Sequence, residues 1–190
     1  MFDSERRFPC DSSTKLVASL QAEQSAQARQ RDIYDSHRHR TFSLAYYMTS
    51  NELVAEHILT ATFVRAFGAS HEPEGRDVDA ALLEELRLRS YLGSFAGLDA
   101  AGPSSVSVAG SSSELGELNV KRTDLEEAIR DLPATERLLF LLRDVEGYTS
   151  AAIAQLLGVS EPQVQRGLFA ARIGLRRSLA GARAERAEAA

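Results

Sequence analysis

Apolar residues along the chain recur at helical intervals, and no alternating Val/Ile/Thr run of strand length breaks the pattern, so an all-α protein is expected. The stretch from Ile33 to Met48, IYDSHRHRTFSLAYYM, gives a first helix a wide apolar face. Residues 1–30 before it are polar, with weak periodicity around Leu16, Val17 and Leu20; they read as a short helix or a loose arm and receive no function. Thr49 and Glu52 stand in capping-box spacing and predict the start of a second helix. Its apolar positions Val54, Ile58, Ala61, Val64 and Phe67 fall near one side, and Gly68, Pro73 and Gly75 end it. A third helix, about 78–92, is expected to pack through Val78, Leu82 and Leu86 and to turn Asp79, Glu84, Glu85, Arg87 and Arg89 outward.

The pattern then stops. Residues 93–119 are rich in Gly, Ser and Ala and carry too little apolar surface to offset the entropy of ordering, which predicts a flexible linker. A second box, Thr123 with Glu126, opens a helix that Pro133 stops. A strongly apolar helix over 134–145 follows, then a turn at Glu146-Gly147, a short helix over 150–157 and a longer one from Ser160. Gly158 suits the left-handed end of a helix, Ser160 can cap the next one, and Gln163 stands where a capping-box partner belongs. That punctuation is the signal of a helix-turn-helix, and Ala154 is small enough to let its two helices cross closely. The expected organisation is an extension (1–30), a three-helix domain (31–92), a linker (93–119), a helix-turn-helix domain (120–182) and an Ala-rich tail (183–190).

Charge changes this picture locally. The chain has 22 Lys+Arg against 27 Asp+Glu, a net −5, which argues against a protein that coats nucleic acid indiscriminately. Yet residues 163–183 contain no Asp or Glu, whereas Asp124, Glu126, Glu127, Asp131, Glu136, Asp144 and Glu146 crowd the preceding stretch. At about 100° per residue, Val164, Leu168, Ala171, Leu175 and Leu179 share the core side of the last helix. Gln165, Phe169, Arg172, Arg176 and Arg183 lie on the flank, with Arg166 a little further round. Arg can grip phosphate oxygens or guanine edges and Gln can pair with adenine when such a helix enters the major groove. DNA contact is therefore expected, although the positions that would face the groove include Gln163, Gln165, Gly167 and Ala170 instead of strong charges.

Other chemistry finds little support. There is no glycine-rich phosphate loop, Gly-x-Ser-x-Gly elbow, paired-histidine zinc motif or Cys/His cluster, so no enzyme, metal or cofactor is expected. His37 and His39 are two apart and lie on different helix faces, and Glu84-Glu85 reads as solvated surface. Cys10 has no second cysteine to pair with. The longest apolar runs, such as Leu138 to Leu142, are far short of the roughly 18 residues that span a bilayer. The opening residues lack the apolar stretch of a secretory signal, so a cytoplasmic protein without membrane insertion is expected.

The segment from Leu125 to Leu179 resembles region 4 of extracytoplasmic-function sigma factors. The shared elements are Leu132-Pro133, Glu136-Arg137, Leu142-Arg143-Asp144-Val145-Glu146-Gly147, Ile153-Ala154, Leu157-Gly158-Val159-Ser160 and Ala171-Arg172. Ile33 to Phe67 is similar to a degenerate region 2, through Ala55-Glu56 and Phe63-Val64-Arg65-Ala66. It departs at His57, where the family has Asp, and at Thr60-Ala61. The Trp-containing helix that opens promoters in the family has no counterpart after Phe67. The resemblance implies a transcription initiation regulator that binds core RNA polymerase through Glu56, Ile58, Phe63 and Arg65. It implies contact with minus-35 promoter DNA through Ser160, Gln163, Gln165, Arg166, Phe169, Arg172, Arg176 and Arg177, with an anti-sigma protein as a further candidate partner. The alternative is a sigma-like regulator that binds polymerase or another protein, through the apolar 138–145 helix and the acidic face, without melting DNA.

Overall fold

The computed structural model describes residues 11–70, 72–89 and 121–188, with the backbone alone for 11–19, 183, 185, 187 and 188. The expected linker at 93–119 lies outside the described residues. Within them the protein is all-α: α1 (Asp11–Thr49), α2 (Glu52–Ala69), α3 (Gly75–Arg89), α4 (Arg122–Asp131), α5 (Ala134–Phe140), α6 (Ser150–Leu157) and α7 (Glu161–Glu188). The first helix is far longer than its apolar stretch and takes in most of the polar extension, whose residues 20–32 are largely exposed. The last helix likewise runs on through most of the Ala-rich tail.

The helix boundaries correct two of the three expected capping boxes. Thr49 does not cap α2; its hydroxyl donates back to the Ala45 carbonyl (2.8 Å), and Ser50, at φ 53°, turns the chain in the left-handed region. Asn51 is the cap instead, its side chain accepting from the Val54 amide at 3.2 Å. Thr123 lies inside α4, which starts after Lys121 without a side-chain cap. At α7 the box forms as expected: Gln163 Oε1 accepts from the Ser160 amide (2.8 Å), and the Gln163 amide donates to Ser160 Oγ at 3.4 Å. Gly158 ends α6 at φ 67°, a conformation that costs an L side chain about 1–2 kcal/mol.

Packing on α2 differs from the expected stripe. The buried positions are Ala55, Ile58, Thr62, Phe63 and Ala66, while Val64 is 69% exposed. The reason is geometric: α2 must meet both α1 and α3, and the arc that serves both is centred about half a turn away from Val64. On α3, Val78, Leu82 and Leu86 are buried as expected, but Glu85 is not solvated surface. It is enclosed at 4% exposure, where its Oε1 accepts from Arg65 Nη2 (2.7 Å) and its Oε2 from Arg89 Nε (3.3 Å). Burial alone would push this carboxyl up; the two guanidiniums outweigh it and hold the group below the usual carboxylate range.

In the C-terminal half, Leu138, Leu139, Leu141 and Leu142 are all essentially inaccessible, each contributing roughly 1.5–3 kcal/mol by burial. The apolar helix expected over 134–145 stays α-helical only to Phe140. It then widens into a π turn over Leu141–Val145, where the Glu146 amide reaches the Leu141 carbonyl at 2.9 Å. A continued α-helix would place Val145 on the face of Leu138 and Leu142; the wider turn rotates it outward to 57% exposure. Of the apolar 138–145 surface invoked for partner binding, Leu138, Leu139, Leu141 and Leu142 are interior to the chain, and Val145 at its end is exposed.

The two halves share one buried cluster, in which Leu44, Ala45 and Met48 of α1 join Ala128, Ile129, Leu132 and Leu138 to Leu142. Polar contacts cross the same boundary. Arg137 Nη1 donates to the carbonyls of Met48 (3.0 Å) and Tyr47 (3.4 Å), while its Nη2 donates to Leu132 (2.9 Å) and Arg130. Arg87 Nη2 reaches the Leu157 carbonyl at 3.0 Å. Arg40 Nε donates to Glu146 Oε2 (2.5 Å), its Nη1 lies 2.9 Å from Asp79 Oδ1, and its Nη2 donates to the Tyr148 hydroxyl, which itself donates to Asp79 Oδ2 at 2.5 Å.

Candidate nucleic-acid interface

The fold positions α7 by its apolar stripe. Val164, Leu168, Ala171 and Leu175 are buried against α4, α5 and α6, and Leu179 packs at the margin, as the helical spacing predicts. Gly167 is also buried, so it belongs to the packed side and not to a groove-facing one. Gly174, seven residues on, lies on that same side, and a Cβ there would come within 2.7 Å of Leu132 Cδ2, so α7 approaches the α4–α5 corner closely.

The exposed faces of α7 beside this stripe carry the candidate DNA-binding residues. Ser160, Gln165, Arg166, Phe169, Arg172, Arg176 and Arg177 are exposed, Phe169 at 43%. Gln165, Phe169, Arg172 and Arg176 share one flank of the helix, Arg166 and Arg177 lie further round and Ser160 precedes its first turn, and these side chains are not equally available. Gln163 is half-buried and its amide oxygen is occupied by the capping box. Gln165 Nε2 leans to Glu161 Oε1 at 3.5 Å.

The acidic stretch that precedes the motif in sequence folds back beside this basic helix. Arg172 makes a two-pronged contact with Asp144, Nη2 to Oδ1 at 2.7 Å and Nε to Oδ2 at 3.2 Å. Arg186 Nη2 lies 2.6 Å from Asp124 Oδ2, and Ser178 Oγ donates to Asp131 Oδ2 at 3.3 Å. Arg176 and Arg177 are exposed with no ion pair among the described residues. A guanidinium held by a carboxylate presents the same fork to a phosphate only after exchange, whereas Arg176 and Arg177 can offer theirs without breaking an ion pair.

The residues expected to bind polymerase do not form one surface. Ile58 is fully buried and Phe63 is 4% exposed, packed edge-on to Tyr34 with ring centroids 4.8 Å apart. Both are core, which corrects their assignment to a contact face in this conformation. Glu56 is exposed, and Arg65 is half-exposed with its guanidinium on Glu85. The open side of α2 is instead carried by Leu53 (76% exposed), His57, Thr60 and Val64.

Sequence reasoning missed Arg40 and the Arg65–Glu85 pair, and it turned Asp79 outward although its side chain is 15% exposed. Their partners lie on other elements, and a cation or an acid on a half-polar helix carries no local mark of a distant partner. Arg137 stands in the sequence only as part of the family pattern at Glu136-Arg137, which attaches no role to it.

The geometry is that of a helix-turn-helix whose second helix is extended and basic on its outer side. Residues 122–173, from the start of α4 into α7, match the family described as Sigma-70, region 4, so this part of the chain is similar to that domain. A search of the curated proteins gives no match. Among the described residues no helix is long and apolar enough to cross a membrane, and no group of three or more His, Cys, Asp or Glu side chains is placed to hold a metal ion.

Proposed function

We propose that the chain is a sigma-factor-like regulator of transcription initiation, of the extracytoplasmic-function class. It sets α7 against the minus-35 element of promoter DNA, binds core RNA polymerase, and works in the cytoplasm, where an anti-sigma protein would be its natural antagonist. The reading is carried by the run 163–183 of α7, which contains no Asp or Glu and bears exposed arginines, in a helix that begins within a stretch similar to Sigma-70 region 4. In this role Arg176 and Arg177 grip phosphates, while Gln165 and Phe169 reach base edges, Phe169 through an apolar contact of the kind that suits a thymine methyl. Polymerase would meet Glu56 and the exposed side of α2. The test is the salt dependence of duplex DNA binding. Replacing both Arg176 and Arg177 by Ala should reduce the slope of log K against log salt by about 2, since each phosphate contact contributes about 0.9. An unchanged slope would remove DNA from the account.

A second reading is favoured by Arg172 on Asp144 and Gln163 in its cap, which leave a thinned reading surface. In it the chain regulates by protein contact and does not melt DNA, in keeping with His57, Thr60-Ala61 and the lack of a Trp in the sequence. Promoter-dependent transcript from core polymerase supplied with the protein supports the first reading. Binding to core without transcript supports the second.

A further inference from the structure

We infer that the polar group centred on Arg40 is a clasp that holds the chain closed, and that its release uncovers the apolar face of α4 and α5. Three observations carry this. The cover is narrow: the end of α1, with Leu44, Ala45 and Met48, lies over Ala128, Ile129, Leu132 and the α5 leucines. The C-terminal half has its own core, α7 on α4, α5 and α6 through Val164, Leu168, Ala171 and Leu175, so it can stay folded when α1 withdraws.

The clasp itself joins three elements from both halves at one cation. Arg40 on α1 holds Asp79 on α3 together with Glu146 and Tyr148 from the turn before α6, and its guanidinium carbon also sits 5.2 Å from the centre of the Tyr148 ring. These side chains are mostly enclosed, with Arg40 at 27% exposure and Asp79 and Glu146 at 15% each. A polar cluster of this kind adds less than an apolar contact would, but it admits one docking arrangement and penalises a half-broken one. It therefore behaves as a two-position device, and removing the central cation strands two carboxylates facing each other. Glu146 and Tyr148 stand in the very turn that marks the C-terminal unit, so in the closed chain that turn is occupied from within.

The experiment measures the distance between spin labels on exposed positions of the two halves. Thr60→Cys and Ala180→Cys are introduced into the full chain with Cys10→Ser, and far-UV circular dichroism monitors folding. The unaltered clasp should give one distance. Arg40→Ala should add a second, longer one, with the ratio of open to closed molecules raised about ten-fold or more, together with increased binding of an apolar dye. Arg65→Ala, which breaks the Glu85 pair inside the N-terminal half, should weaken the fold without adding the long distance. An unchanged distribution in Arg40→Ala, a long distance already present with the clasp intact, or equal opening by Arg65→Ala would each overturn the inference. Should Arg40→Ala lose its helical signal, Glu146→Gln is judged by the same criteria. No DNA enters the measurement, so a negative result leaves the contact proposed for α7 standing.

Discussion

Arg137 concentrates more of the fold on one side chain than any other residue described. Its two terminal nitrogens donate to four backbone carbonyls, two at the end of α1 and two at the end of α4. These carbonyls have no partners within their own helices, and helix C-termini carry partial negative charge, so a planar cation between them satisfies both ends at once. The gain is offset in part. Burial pulls the guanidinium pKa down despite the nearby Asp131, and the Nε finds no hydrogen-bond partner. Four bonds to a charged donor would sum to about 6–12 kcal/mol at 1.5–3 each, but that sum ignores desolvation and the shared donors. A net cost of about 3 kcal/mol for Arg137→Ala is expected, in the range for breaking a buried charge-assisted network. Arg137→Lys keeps the charge but loses the fork, and should cost about half as much. For a chain of this size the Ala variant should melt roughly 6–12 °C lower. Urea unfolding followed by circular dichroism gives the free energies directly. A Lys variant as stable as the parent, or an Ala variant within 1 kcal/mol of it, would refute the assignment.

Three further outcomes follow from other sites. Gly158→Ala should cost about 1–2 kcal/mol because its φ of 67° strains any L side chain although space is open, whereas Gly68→Ala, also in open space but within α2, should stabilise by up to about 1 kcal/mol; thermal melting of the pair checks both signs. Tyr148 is pushed up to about 12 by burial first and by Asp79 next, against the opposing pull of Arg40. Its folded-state pKa lies above the unfolded 10, so its contribution to stability is complete below pH 10 and is lost as pH rises from 10 toward 12. Tyrosinate absorbance should show one late-titrating phenol that Tyr148→Phe removes. Asp144→Asn should free the Arg172 fork and steepen the salt dependence of DNA binding by up to about 1 unit of slope, while Arg172→Ala in the same assay should change it little; the reverse order would show that Arg172 already contacts DNA in the parent.

Local signals in the sequence translated well because they depend on neighbours within one turn of chain. Ser160, Gln163 and Gly158 were legible for that reason, and so was the stripe from Val164 to Leu175, since one helix packing on one surface needs only its own period. Where two elements compete for a side chain, the period alone misleads. The α2 stripe rotated off Val64 because α2 serves two neighbours, and Thr49 lost the cap to Asn51 because α1 runs on through Thr49 and the turn at Ser50 leaves Asn51 in the extended cap position. Long-range charge was the least legible. Asp144 and Arg172 are 28 residues apart, Arg65 and Glu85 are 20 apart, and Arg40 and Glu146 are 106 apart.

Those pairings decide how the basic helix should be read. In sequence, an acid-rich run followed by an arginine-bearing stretch with no acid between 163 and 183 suggests a separated dipole with a bare positive end. In space the run and the helix lie side by side, and Asp144, Asp131 and Asp124 meet Arg172, Ser178 and Arg186 along its length. A DNA phosphate arriving at Arg172 must therefore displace a carboxylate of similar shape and charge, whereas one arriving at Arg176 or Arg177 displaces only water and counterions. Those two residues should then contribute their phosphate contacts in full, and Asp144 should act as a tunable brake on Arg172. The net −5 of the chain and the basic face of α7 are compatible because the acids that neutralise the helix are its own neighbours in the fold.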